Sequence, residues 1–404
     1  MTSSPPPETT TVEEITAEAH AFFSARLARR ASTAVRHGEG DDAVIGVGIH
    51  RRDSDTGDVA RAQAWQRDLW EAGLAWVQGP TEYGGRGLAP EHARAVDAVA
   101  AQYVTPTTSC FMVSHSIVGP TILEHGTAEQ RRALLPKIWR GEVICCQLFS
   151  EPEAGSDLAG LRTTARRDGD AWVVSGQKLW SSYAHLSQVG ELLARTGPPE
   201  SRHRGLTMFL VDMTSPGIVV RPLRQLTGGE HFNEVFLEEV RIPDSARVGP
   251  VDGGWPIALT TMTNERSVLG REHNGIMLAP VDRLFALARA TGAIEDTAVQ
   301  DLLAECWARE QLLHETAARL GTALRAPSVV KLMMTADMEF YSEVAERLLG
   351  YRMIAETGEW GTFAWSQLLL NAPAHRIAGG SDEIQRNILA ERALGLPREQ
   401  QPAG

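Results

Sequence analysis

Residues 149–157 read Phe-Ser-Glu-Pro-Glu-Ala-Gly-Ser-Asp, and residues 176–182 read Gly-Gln-Lys-Leu-Trp-Ser-Ser. Both stretches follow Cys146, where the spacing of apolar residues changes from helical to strand-like. Between them, Asp168-Gly169-Asp170 separates two short runs and predicts a tight hairpin. Further β-rich runs cover residues 205–213, 217–222 and 233–242. We therefore predict a compact β domain over residues 146–250.

Helical spacing dominates on both sides of this β domain. It begins with Ile15, Ala19 and Phe22, which predicts an N-terminal helical domain over residues 15–145. Residues 1–14 begin with a Pro/Ser/Thr-rich run, so we expect a disordered tail there. A C-terminal helical bundle is predicted over residues 251–404, with helices at 257–290, 296–324, 328–349 and 381–394. The predicted fold class is α+β, and mostly α.

Composition narrows the class of partner. The 404 residues carry a formal net charge of −12, which disfavours nucleic acid and anionic membranes because both need a basic surface. The sequence shows no apolar run of membrane-spanning length and no secretory signal, so we expect a cytoplasmic protein. Its four cysteines lack metal-ligand spacing, and we interpret them as reduced core residues.

Two further motifs extend the pattern along the chain. Residues 83–88 read Tyr-Gly-Gly-Arg-Gly-Leu, and residues 383–392 read Glu-Ile-Gln-Arg-Asn-Ile-Leu-Ala-Glu-Arg. Together with the two stretches quoted first, they resemble the acyl-CoA dehydrogenase family over residues 62–397, in the family's order and spacing. The resemblance implies a helical N-terminal domain, a β-barrel-like middle domain and a C-terminal four-helix bundle. It also implies FAD, held between the middle and C-terminal domains.

The resemblance assigns roles at the flavin to particular residues. Ser150 occupies the position of a hydroxyl that bonds the flavin, Trp180 that of a tryptophan that covers the ring, and Ser182 that of a second hydroxyl residue. Fixed donors stabilise the negative charge that develops on a flavin during hydride transfer, and an indole fixes a flat ring by burying it. Taken alone, each residue more often serves as a turn, a cap or a core side chain. Further candidates for cofactor binding are Gln147, Phe149, Gly155, Ser156, Ser181, Ser381 and Glu383.

The C-terminal motif departs from the family pattern. Many members carry a catalytic glutamate directly before a Gly-Thr pair, whereas residues 378–381 here read Ala-Gly-Gly-Ser. The backbone N–H of Gly379 can still donate to the thioester oxygen. Other members place the base on the first long helix of the C-terminal domain, where this sequence has Glu265. We therefore predict that Glu265 is the catalytic base, although a lone helical glutamate is more often solvated or ion-paired.

Two residues are candidates for substrate binding. Arg266 aligns with a family arginine near the acyl-CoA site, and a structural ion pair is an equally good interpretation of it. Ser156 lies in the turn where the backbone would meet the thioester arm, although Ala-Gly-Ser-Asp by itself is simply a favourable turn sequence.

The predicted reaction is α,β-dehydrogenation of an acyl-CoA, with a branched or bulky acyl group favoured by the helix-borne base. The resemblance implies that electrons pass to an electron-transfer flavoprotein and that the chain forms a homo- or hetero-oligomer, a dimer or tetramer. Two alternatives stay open. One is a flavin-dependent monooxygenase or oxidase on the same fold, and the other is a non-catalytic partner subunit of a hetero-oligomeric dehydrogenase.

Overall fold

The computed structural model describes residues 10–29, 52–271, 281–320, 326–354 and 362–397. Helices come first, a single sheet follows, and helices return after it, in the order predicted. The N-terminal helices are α1 (Val12–Ser24), α2 (Arg52–Glu71), α3 (Pro90–Ala100), α4 (Gly119–His125) and α5 (Ala128–Trp139).

The first helix begins inside the stretch expected to be a tail. Thr11 caps α1, and its side chain and that of Glu14 satisfy each other's backbone N–H groups. Ile15, Ala19 and Phe23 on one face of α1 enter the N-terminal core. The helix therefore starts at Val12, before the expected boundary after residue 14, and residues 1–9 lie outside the described residues.

The middle of the chain forms one sheet of eight strands. Its order is β6-β7-β3-β2-β4-β5-β8, and β1 pairs with β4 in parallel. Asp168 and Ala171 close the β2–β3 hairpin, and Gly169 takes φ +64° in the turn, as the Asp-Gly-Asp sequence predicts. The strands are β1 (Cys145–Leu148), β2 (Thr164–Asp168), β3 (Ala171–Ser182), β4 (Val189–Arg195), β5 (Leu206–Asp212), β6 (Ile218–Leu223), β7 (Phe232–Pro243) and β8 (Arg247–Val248).

The C-terminal helices pack around α9, which contacts α6, α7, α8, α10 and α11. The helix predicted over residues 257–290 is described at 254–271 and 281–291, and residues 272–280 lie outside the described part of the chain. One helix, over residues 362–375, was not predicted, and Pro373 lies inside it. The helices are α6 (Gly254–Arg271), α7 (Val281–Thr291), α8 (Thr297–Leu320), α9 (Ala326–Leu349), α10 (Thr362–His375) and α11 (Asp382–Ile388).

One apolar cluster joins the N-terminal helices, the sheet and α6. It contains Ile122 from α4, Cys145 and Leu193 from the sheet, and Ile257 and Ala258 from α6. Burial of such side chains is the main favourable term in folding, so this cluster holds α6 against both neighbouring domains. All four cysteines are buried with free thiols, as expected.

Within the described residues, no helix is both long enough and apolar enough to cross a bilayer.

Helix α8 offers a matched test of the bundle core. Leu303 is 0% exposed and packs in the core, whereas Leu312 on the same helix is 60% exposed. We expect Leu303→Ala to lower the free energy of unfolding by about 2–5 kcal/mol, because it leaves a cavity. Leu312→Ala should change it by less than about 0.5 kcal/mol. Urea denaturation followed by circular dichroism measures both, and equal losses would contradict the packing described here.

Candidate functional site

Residues 149–157 and residues 176–182 lie side by side. Strand β1 leads into Phe149 and Ser150, and the backbone N–H of Leu179 on β3 donates to the carbonyl of Ser150 at 2.8 Å. Phe149 is buried and Ser150 is half-buried. The backbone that carries Ser150 is therefore fixed against the segment of β3 that carries Trp180.

A buried ion pair fastens these two stretches together. Lys178 on β3 is 0% exposed, and its Nζ donates to Glu151 Oε1 at 2.8 Å, to the carbonyl of Phe149 at 3.0 Å and to that of Leu193 at 2.8 Å. Burial lowers the pKa of Lys178 to about 8, and the charge of Glu151 opposes this shift. All three ammonium protons therefore have acceptors.

Glu151 is satisfied on its other side as well. Its carboxylate accepts from the backbone N–H of Arg162 at 2.6 Å and of Thr163 at 2.9 Å. Burial alone would raise the pKa of Glu151, but the charge and hydrogen bond of Lys178 and the bonds from residues 162 and 163 hold it below its usual value. The pair thus also ties the turn after Phe149 to the start of β2.

Trp180 has an unusual backbone and an unusual exposure. Its φ is +60°, in the left-handed region, and the pairing of β3 with β7 shifts register between Lys178 and Ser181. The side chain is 54% exposed and meets Phe232 edge-on at 5.7 Å between ring centroids. A bulky residue at positive φ costs about 1–3 kcal/mol, and such strain concentrates at binding and active sites. The bulge aims this indole out of the sheet.

The serines after Trp180 differ in environment. Ser181 is fully buried, its carbonyl accepts from Asn233 Nδ2 at 3.0 Å, and its hydroxyl has no hydrogen-bond partner among the described residues. Ser182 is half-buried and pairs with Phe232 across the strands. A buried hydroxyl without a partner is costly, so the position of Ser181 calls for an explanation.

The remaining candidates of this stretch lie around the same turn. Glu151 and Ala154 exchange backbone hydrogen bonds of 3.0 and 3.1 Å, which projects Gly155 and Ser156 to the surface. Gln147 is half-buried on β1, opposite Glu191 of β4. Gly155 and Ser156 are therefore accessible next to the segment that carries Ser150.

The C-terminal glycine turn is held by helices α9 and α11. Gly379 and Gly380 take φ +64° and +90°, and Gln385 Nε2 donates to their carbonyls at 3.1 and 3.2 Å. Ser328 on α9 donates to Gln385 Oε1 at 2.8 Å. A Cβ at position 380 would lie 2.5 Å from Gln385 Nε2, so glycine suits this clamp.

Residues after the turn begin α11. Ser381 is its N-cap, and its side chain accepts from the backbone N–H of Ile384 at 3.4 Å. Glu383 is exposed and lies 3.9 Å from Arg386. Asp382 is buried and accepts from Lys331 Nζ at 2.8 Å and from Arg376 Nε at 2.9 Å. The contacts of Ser381 and Glu383 are therefore those of a capped helix, and Asp382 anchors the turn.

Glu265 lies on α6 and is half-buried. It follows Ala258 and Thr261 by seven and four residues, so the helical repeat places it on the same face. Ala258 and Thr261 are both buried toward the sheet and the N-terminal helices. The face of α6 that carries Glu265 is therefore the interdomain face. The side chain of Arg266 lies outside the described part of the chain.

The structure thus places Ser150 against the β3 segment that carries Trp180, Ser181 and Ser182. Phe149, Gly155 and Ser156 lie on the same segment as Ser150, Gln147 lies on β1, and Gly379 is held in a separate turn among the C-terminal helices. Sequence reasoning assigned no role to Lys178, Glu151 or Gln385, which hold these two parts in place. For Lys178 a signal existed, because it continues the alternation of the buried residues Trp172 and Val174 along β3. For Gln385 the sequence offered none, because its partners are remote or backbone groups.

The buried pair can be tested by Glu151→Gln. This change leaves the ammonium of Lys178 buried without a carboxylate, which should cost about 3–5 kcal/mol at neutral pH. The folded pKa of Lys178 then falls further below its unfolded value, so the unfolded state binds more protons and stability rises with pH. The penalty measured by thermal unfolding should therefore shrink as pH rises from 6 to 8.

Asp168→Asn is the matched control, because Asp168 pairs with Arg241 at the surface of the same sheet. It should have little effect, and its effect should not depend on pH in this range. A penalty of Glu151→Gln that does not vary with pH would contradict the pairing assigned to Lys178.

Comparison with known proteins agrees with this architecture. Three family models match the chain, namely the acyl-CoA dehydrogenase N-terminal domain at residues 9–142, the middle domain at 146–240 and the C-terminal domain at 252–394. Acyl-CoA dehydrogenase IpdE1 of Mycobacterium tuberculosis is 39% identical over 366 residues, which cover 88% of this chain and 93% of that protein.

Solved structures show the same fold. The Tcur3481-Tcur3483 steroid ACAD is 25% identical, with a TM-score of 0.77 over 98% of this chain and 100% of that chain. The ChsE4-ChsE5 complex from Mycobacterium tuberculosis is 26% identical, with a TM-score of 0.72 over 99% and 100%. With family models along most of its length and a relative of 39% identity, this chain belongs to the acyl-CoA dehydrogenase family of flavoprotein oxidoreductases.

Proposed function

We propose that this enzyme binds FAD and removes hydrogen from the α and β carbons of an acyl-CoA thioester. The observation that carries the proposal is Trp180, a half-exposed indole at positive φ, locked beside Ser150 by the buried pair of Lys178 and Glu151. Backbone strain and exposed apolar surface at one bulky residue are unfavourable unless binding of a ligand offsets them. A flat aromatic cofactor that covers the indole accounts for both.

The residues around the bulge fit a flavin. Trp180 offers a flat apolar face, the hydroxyl of Ser181 lacks a partner among the described residues, and Ser150 and Ser182 are half-buried beside it. When bound, FAD supplies the hydride acceptor. In this proposal Ser150 and Ser182 donate to it, and fixed donors in a site without water stabilise negative charge with little reorganisation. Contributions of Gln147, Phe149, Gly155, Ser156, Ser381 and Glu383 to cofactor binding belong to the same proposal.

Glu265 is the proposed base. The α-proton of a thioester is weakly acidic, so its removal needs a positioned carboxylate and a polarised carbonyl. Glu265 lies on the interdomain face of α6, and the backbone N–H of Gly379 is the proposed donor to the thioester oxygen. The positive φ of Gly379 and the clamp from Gln385 support a fixed orientation of that turn. Arg266 and Ser156 are proposed to bind the substrate.

The proposed substrate carries a bulky acyl group. The helix-borne base favours it, and the similar Tcur3481-Tcur3483 structure is described as a steroid ACAD. ChsE4-ChsE5 is described as a complex, and the name of the Tcur3481-Tcur3483 structure also joins two components. These names support a hetero-oligomer here. Expressing the protein alone and together with candidate partner chains, and recording the visible flavin spectrum and the mass of each product, tests the proposed hetero-oligomer.

An electron-transfer flavoprotein is the proposed electron acceptor. The proposed domain boundaries lie near residues 145 and 250.

Glu265→Gln tests the base. The variant removes the proton acceptor but keeps its size, so it should retain flavin while the rate of flavin reduction falls about a hundredfold or more. Stopped-flow bleaching under anaerobic conditions measures this with butyryl-CoA, octanoyl-CoA and a steroid-ring acyl-CoA. Glu315→Gln, which changes an exposed glutamate on α8, is the control and should reduce at the wild-type rate. Unchanged bleaching in Glu265→Gln would remove Glu265 from the mechanism.

Trp180→Ala tests the flavin site with a matched tryptophan. Trp180 and Trp307 are 54% and 55% exposed, but Trp307 lies on α8, far along the chain from the bulge. Loss of the stacking face should weaken flavin retention by about tenfold, since an aromatic contact contributes about 0.5–1.5 kcal/mol beyond the area it buries. Dialysis followed by absorbance at visible wavelengths measures retention. Trp307→Ala should keep its flavin, and equal losses in the two variants would contradict the site.

A further inference from the structure

A carboxyl group lies in the apolar cluster where the three parts of the chain meet. Glu191 on β4 is 1% exposed, and its neighbour in alternation, Leu193, belongs to the cluster that also contains Cys145, Ile257 and Ala258. Its Oε2 has no hydrogen-bond partner among the described residues. An acid is rarely found in such a place, because burial of a charge is costly unless it is paired.

Hydrogen bonds connect Glu191 to two helices. Glu191 Oε1 lies 2.9 Å from Thr261 Oγ1 on α6, and Thr261 Oγ1 lies 3.1 Å from Thr121 Oγ1 on α4. Asn264 Nδ2 on α6 then donates to Thr121 Oγ1 at 3.4 Å. This chain of four residues, which we call the junction chain, joins the sheet, the N-terminal helices and α6. It ends one residue before Glu265.

The protons of the junction chain favour a neutral Glu191. Either hydroxyl can donate in the contact between Thr121 and Thr261. When Thr121 donates, the single proton of the Thr261 hydroxyl still faces two acceptors, Glu191 Oε1 at 2.9 Å and the carbonyl of Ile257 at 3.1 Å. A protonated Glu191 supplies the second proton, and both contacts are then satisfied. When Glu191 is ionised, the single proton of the Thr261 hydroxyl is donated to its carboxylate, so the carbonyl of Ile257 loses this hydrogen bond.

The groups around Glu191 offer no compensating charge. The titratable neighbours are the thiols of Cys145 and Cys146 on β1, and burial raises the pKa of each, that of Cys146 to about 12. Thr261 faces it from α6, and no cation among the described residues pairs with it. Burial accordingly raises the pKa of Glu191 to about 8, and the bond with Thr261 opposes the shift.

We propose that Glu191, as a neutral acid, is a positioning residue for the dehydrogenation, because it fixes Thr261 and through it the face of α6 that carries Glu265. The inference rests on the proposed role of Glu265. Thr261 and Glu265 are one helical turn apart, about 6 Å along the axis. Ionisation of Glu191 puts an unpaired anion into an apolar cluster, which releases this end of α6. A misplacement of about 1 Å at a reacting group can cost about a hundredfold in rate.

The experiment has one readout at the flavin and one that needs no substrate. Flavin reduction by the acyl-CoA thioesters named above is followed from pH 6 to 9.5 in the wild type, Glu191→Gln and Thr261→Val. Hydrogen exchange of backbone amides in residues 254–271 is compared among the same proteins at each pH. Both single variants are needed, since Glu191→Gln removes the titrating proton and Thr261→Val breaks the junction chain from its other side.

In the wild type, the rate of flavin reduction should fall by about tenfold as the pH rises through a midpoint near 8. Over the same pH range, the backbone amides of α6 should exchange faster than the intrinsic pH dependence of amide exchange explains. Glu191→Gln has no proton to lose, so it should lack both changes. Thr261→Val removes the hydroxyl that couples Glu191 to α6, so its α6 should exchange at the faster rate already at pH 6 and show no further pH-dependent change. Asp337→Asn is the control, because Asp337 is a buried acid on α9 whose partner is Arg309 of α8 and not a residue of α6. It should behave as the wild type.

The outcomes separate the two proposals. If the wild type is not reduced by any thioester, the proposed function fails, and the exchange data still decide whether Glu191 positions α6. If Glu191→Gln keeps the alkaline fall in rate, or if α6 exchanges identically in the wild type and Glu191→Gln at every pH, the role of Glu191 is overturned.

Discussion

The ammonium of Lys178 is the constraint on which the site depends. It is a full charge in a strand interior, so its position must supply acceptors for all three protons. Glu151 and the carbonyls of Phe149 and Leu193 supply them, and they come from two stretches of backbone, residues 149–151 and strand β4. The requirement of one side chain for solvation therefore fixes the end of β1, the interior of β3 and the neighbouring β4 relative to one another.

That fixed point allows strain two residues later. Trp180 adopts a positive φ that an isolated strand would not keep, and the bonds of Lys178 before it and of Ser181 after it hold the backbone on both sides. The hydrogen bonds of the sheet thus hold the strained backbone of Trp180 and fix the orientation of its indole. The exposed surface around Trp180 follows from packing beneath the strand, and the exposed residues alone would not produce it.

This dependence explains which features the sequence could predict. The β2–β3 hairpin was predictable, because turn residues and alternation are local signals. Strands β1 and β4 were not predicted, since they are almost wholly buried and lack a polar alternate face. The clamp of Gln385 on the glycine turn could not be inferred either, because its partner Ser328 is 57 residues away. The sequence motifs identified the candidate site residues, and contacts between residues far apart in the sequence determined their geometry.

Two kinds of contact hold α6, and they constrain it differently. The apolar cluster around Ile257 and Ala258 gives most of the favourable free energy, but apolar packing tolerates small shifts. The hydrogen bonds of Thr261 and Asn264 depend on direction and distance, so they define the rotation of the helix about its axis. Because one residue of rotation is about 100°, a base on this helix needs the second kind of contact as well as the first. The polar junction therefore serves a purpose that more apolar packing at Glu191 could not replace.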